Sequence, residues 1–110
     1  MSDLSKGADT LLAEIVRRIV EAYHPERVYL FGSQARGDAT AESDYDLLIV
    51  VPNDAGPERR RGRLAHEVLW GVDASVDVAV CTREWFESRR DLAASLPGTV
   101  IREGHLVHAA

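Results

Sequence analysis

Asp44 and Asp46 stand two residues apart at the mouth of an apolar run, YDLLIVV (45–51), and a third carboxylate, Asp77, interrupts another, SVDVAVC (75–81). In a strand, residues two apart project from the same face, about 6.5–7 Å from each other along the backbone. Two like charges so placed repel each other unless a cation is shared between them. Hard carboxylate oxygens suit Mg²⁺ or Mn²⁺, ions usually held jointly with substrate phosphates. An ionised Asp77 within an apolar strand is also costly unless paired or bound to metal. If its strand lies beside 45–51, the three carboxylates form one cluster. Such a cluster can hold two ions about 3.5–4 Å apart against a nucleoside triphosphate.

A second group precedes it. Gly32 and Ser33 end the strand-like RVYLF (27–31), and a turn there presents backbone N–H groups and a hydroxyl to phosphate oxygens. Arg36 follows with a planar fork suited to phosphate, although an ion pair with Asp38 or Glu42 is the competing reading. Gly32 also satisfies a purely conformational need.

The scaffold for these residues reads as alternating helices and strands. Leu4, Ala8, Leu11, Leu12, Ile15, Ile19 and Tyr23 recur at three- and four-residue intervals, predicting an amphipathic helix over 4–23 that ends at His24-Pro25. RVYLF predicts a strand and 33–37 a turn or very short helix. YDLLIVV is apolar on both faces beyond Asp46, so it belongs in the middle of its sheet. DATAES (38–43) and PNDAGP (52–57) are loops, and a second helix is expected from Glu58 to about Trp70, closed by Gly71. SVDVAVC is a third strand, and Thr82 caps a helix through REWFESRRD. LPGTVIREG is a short helix stopped by Gly104, and HLVHAA is a tail or a last short strand. The fold class is therefore α/β, a small mixed β-sheet with flanking helices, in one domain over 1–110.

Composition narrows the function. A net charge of −5 argues against direct nucleic-acid binding, so an anionic ligand needs local help. Cys81 is the single cysteine, which excludes a disulfide within the chain and fits a reducing cytoplasm. No apolar stretch reaches the ~20 residues of a membrane span, and MSDLSKGADT does not read as a signal peptide. The run RRRGR (59–63) reads as a solvated helix face or a basic patch for an acidic partner. Trp70, Trp85 and Phe86 are candidate core or partner-interface anchors. His24, His66, His105 and His108 lack metal-ligand spacing and receive no catalytic role.

Gly32-Ser33, ten residues, then Asp44-x-Asp46 resembles the signature of the DNA polymerase β-type nucleotidyltransferase superfamily. The string FGSQARGDATAESDYDLLIV is similar to its small stand-alone branch, the minimal nucleotidyltransferase (MNT) proteins, and the likeness extends through VDVAV, REWFESRRDL and VIREGHLVH. The resemblance implies a polymerase β-like nucleotidyltransferase core. It also implies that Gly32 and Ser33, with Arg36 beside them, bind the phosphates of ATP as substrate. Asp44, Asp46 and Asp77 would hold two Mg²⁺ or Mn²⁺ ions, with Asp77 also the candidate general base. Such proteins transfer a nucleoside monophosphate to an acceptor hydroxyl and release pyrophosphate. Many minimal ones act as antitoxins of a HEPN-domain ribonuclease toxin, by transferring AMP to a toxin tyrosine, by binding it, or both. So small a core implies an acceptor that supplies its own binding surface. The alternatives are a non-catalytic antitoxin that works by binding, and a transferase for a small molecule such as an aminoglycoside.

Overall fold

The computed structural model describes residues 3–37 and 44–110, with the side chains of 3–9 and of Arg36 outside that description. Helix α1 (Asp3–Tyr23) leads into strand β1 (Arg27–Phe31), and a single turn of helix, α2 (Ser33–Arg36), follows directly. Strand β2 (Tyr45–Val51) is joined to β3 (Val76–Thr82) through a 3₁₀ turn (Pro57–Arg60) and helix α3 (Arg63–Val68). Helices α4 (Arg83–Arg89) and α5 (Leu96–Glu103) precede the final strand β4 (His105–Ala109). The four strands lie in the order β3-β2-β1-β4. β1 is antiparallel to both β2 and β4, while β2 and β3 run parallel. The expected mixed sheet is present, with YDLLIVV inside it and HLVHA forming an edge strand.

Alternation along the strands divides the core in two. Val28 and Leu30 of β1 and Tyr45, Leu47, Ile49 and Val51 of β2 pack with Ile15, Ile19 and Tyr23 of α1 and Ala65 of α3. Tyr29, Leu48 and Val50 face the other way, against Phe86 of α4 and Val100 of α5. Phe86 stacks on Tyr29 with ring centroids 5.4 Å apart. The strands are thus sandwiched between two helical layers, which is why β2 is apolar on both faces. Cys81 lies half-buried on the Phe86 side, where burial pushes its thiol up to about 11. It serves as a small apolar side chain.

Two expectations need correcting. The helix expected over 58–70 is broken, because Arg61 is extended (φ −115°, ψ 143°) between the 3₁₀ turn and α3. The adjoining arginines explain the break. Arg59 Nε donates to the carbonyl of Tyr23 (2.8 Å), and Arg60 Nε to that of Ala55 (2.8 Å). These two satisfy carbonyls that α1 and the preceding loop leave open, while Arg60, Arg61 and Arg63 stay exposed, as the solvated reading of the run expects. Trp70 is 86% exposed and so is not a core residue, whereas Phe86 is fully buried. No helix among the described residues is long and apolar enough to cross a membrane.

Candidate active site at the carboxylate end of the sheet

The register of the strands assembles the site. On the α4/α5 side, three rows of side chains cross the sheet. Cys81, Val50 and Arg27 form one, and Ala79, Leu48 and Tyr29 the next. The third row is Asp77, Asp46 and Phe31, with Asp46 the direct neighbour of Asp77 in the parallel pair β2–β3. Asp44 lies two residues before Asp46, so it continues the same face where β2 begins. The Tyr45 N–H donates to the Ser75 carbonyl (2.9 Å), fastening the starts of the two strands together. The helices cover the two apolar rows through Phe86 and Val100, and Leu48 and Val50 are buried beneath them. Asp44 and Asp46 are half-buried, and Asp77 is exposed. Its exposure removes the burial cost expected for a carboxylate in an apolar strand.

Phe31, at the end of β1, leads straight into Gly32, whose φ of +74° lies in the region that side chains resist. A Cβ at this position would overlap the Asp46 carboxylate, whose Cγ would lie only 3.1 Å away. Glycine is therefore required twice here, by the turn and by the approach of Asp46. Ser33 opens α2 immediately afterwards and is half-buried. Gly32, with Ser33 next in the chain, thus stands directly against Asp46. Arg36 closes α2, but its side chain and the segment 38–43, including Asp38 and Glu42, lie outside the described residues.

One residue of this region escaped the sequence reading. His105, the first residue of β4, pairs with Leu30, and its Nε2–H donates to the Ala35 carbonyl in α2 (2.8 Å). Nothing in the spacing of the histidines signals this, because the two partners are 70 residues apart.

The donor set at this end is all hard oxygen, which fits Mg²⁺. Among the described residues, no three His, Cys, Asp or Glu side chains converge tightly enough to hold an ion alone. Mg²⁺ in nucleotide sites is commonly held by one or two carboxylates together with phosphates and water. The carboxylates therefore fit an ion that they share with phosphates and water.

The family model described as a nucleotidyltransferase domain matches residues 11–101, a span that takes in Gly32, Ser33, Asp44, Asp46 and Asp77 and stops short of β4. None of the curated proteins compared with the chain matches it. Solved structures do. A toxin–antitoxin crystal structure with AMP-PNP aligns at 22% identity and a TM-score of 0.59, over 87% of this chain and 72% of the other. A Sulfolobus solfataricus protein assigned as a nucleotidyltransferase aligns at 26% identity and 0.56, over 88% and 76%. A mutant of the MntA–HpeT toxin–antitoxin pair aligns at 18% identity and 0.56, over 86% and 71%.

Proposed function

The chain belongs to the nucleotidyltransferase-domain family, and we propose that it transfers AMP from ATP to a tyrosine hydroxyl of a HEPN-domain ribonuclease toxin, acting as its antitoxin. The observation that carries the reading is the row Asp46–Asp77 beside Gly32, with Asp44 on the same face. Its likeness in fold to a toxin–antitoxin structure with AMP-PNP supports an adenine nucleotide and a protein acceptor.

Each residue has a task that follows from its place. Asp44, Asp46 and Asp77 would hold Mg²⁺ jointly with the phosphates of the substrate. The ion, when bound, neutralises phosphate charge and favours departure of pyrophosphate. Gly32 leaves room for the Asp46 carboxylate and turns the chain so that backbone N–H groups are offered to a phosphate, and the Ser33 hydroxyl donates to a phosphate oxygen. The acceptor oxygen forms a bond to the α-phosphorus as the bond to the β-phosphate bridging oxygen breaks. Asp77, exposed at the start of an edge strand, takes the hydroxyl proton. The acceptor can approach from that open side.

Intact mass of the neighbouring gene's product after incubation with the protein, Mg²⁺ and ATP tests this. AMP-sized additions that vanish with Asp44→Ala support the proposal. A stable inhibitory complex without additions would instead favour an antitoxin that works by binding, for which the exposed Trp70 is a ready anchor. Neither additions nor a complex would redirect the search to small-molecule acceptors.

A further inference from the structure

We infer that His105 is a positioning residue for the nucleotide-binding turn, holding α2, and with it Ser33, in place from the edge strand β4. This rests on the reading of Gly32-Ser33 as the contact for nucleotide phosphates.

A helix of four residues cannot sustain itself, because nucleation costs more than one turn returns. Its last carbonyls also lack partners within the helix. In α2 the Ser33 carbonyl accepts from the Gly37 N–H (3.1 Å). The Ala35 carbonyl accepts from His105 Nε2 (2.8 Å). The imidazole is itself aimed by a tight backbone. A Cβ on Gly104 would lie 2.7 Å from the Val100 carbonyl oxygen and 2.9 Å from that of Leu30. The chain therefore passes against both the end of α5 and β1, and glycine alone allows it. His105 then pairs with Leu30, two residues before Gly32. The residue that braces α2 is thus registered on the same strand that delivers Gly32 and Ser33. The brace lies in β4, beyond the span 11–101 that the family model matches.

The test is calorimetric titration of Mg²⁺ with AMP-PNP into the wild type, His105→Ala and His105→Gln. Thermal midpoints and amide exchange at residues 33–37 are read alongside. His105→Ala is expected to weaken nucleotide binding about fivefold, the size of one lost hydrogen bond. Exchange should quicken at 33–37 while the thermal midpoint holds, and His105→Gln, which retains a donor, should recover most of the affinity. Equal affinity and exchange in His105→Ala would overturn the inference and leave the nucleotide site standing. Affinity lost together with the thermal midpoint, and not recovered by glutamine, would also overturn it, by assigning His105 to general stability. A wild type that binds no nucleotide would remove the reading of Gly32-Ser33, and the inference with it.

Discussion

The two ends of the sheet treat their carboxylates in opposite ways. At the end where β1 starts and β3 stops, acids meet guanidinium groups. Glu26 pairs with Arg83 (2.6 Å), and Glu87 with Arg27 (2.7 Å) and Arg90 (3.0 Å). Arg27 also lies over the Phe86 ring, 5.3 Å from its centroid. At the other end Asp44, Asp46 and Asp77 share one face, and neither Asp44 nor Asp77 joins an ion pair among the described residues. Charge at the first end is balanced within the chain. Charge on Asp44 and Asp77 at the second is left for water or for a cation that arrives from outside. Arg27, Arg83 and Arg90 all pair at the first end.

The sharpest way to break this contrast is Asp77→Asn. Transfer should fall by about 10²–10⁴-fold, the usual contribution of a general base. The thermal midpoint should hold or rise, because an exposed member of a like-charged row has been neutralised. A clear drop in midpoint would assign Asp77 to the scaffold. On the paired side, Phe86→Ala removes a fully buried ring stacked on Tyr29 and should cost about 3–5 kcal/mol in denaturant unfolding. A loss under about 1 kcal/mol would mean that α4 is dispensable to the core.

Gly32→Ala joins the two concerns. The positive φ should cost about 1–3 kcal/mol, and the methyl must displace the Asp46 carboxylate, so nucleotide affinity should fall along with stability. Wild-type affinity in a destabilised variant would separate the turn from the site. The smallest effect concerns pH. A hydrogen bond from Arg27, seconded by Arg90, holds the Glu87 carboxyl below its ordinary range. Its stabilisation is therefore full above the unfolded carboxylate pKa and is lost as pH falls through the lower folded value. Glu87 is exposed, so Glu87→Gln should remove less than about 1 kcal/mol of acid sensitivity, seen as a flatter midpoint-against-pH curve below pH ~5. An unaltered curve would show that the pair contributes nothing.

Much of this was written locally. The period of two in YDLLIVV and VDVAV places Asp46 and Asp77 on one side of their strands whatever surrounds them, because pleating is a property of the backbone. The period in α1 and the cap at Thr82 likewise belong to short stretches, and the structure contains them where the sequence pattern puts them. Other features were not legible. The helix expected over 58–70 breaks because Arg59 and Arg60 find carbonyls contributed by other segments. Trp70 reads as an anchor of either kind until its exposure is known.

Residue type and spacing thus determined the chemistry on offer: paired carboxylates, a Gly-Ser turn, strands long enough to carry them. Only the tertiary structure decided that Asp77 stands directly beside Asp46, that Gly32 must lack a side chain because of Asp46, and that His105 reaches α2. The reason is physical. Periodicity is written by neighbours along the chain, whereas register, close approach and long-range hydrogen bonds depend on which segments the burial of the two apolar cores brings together.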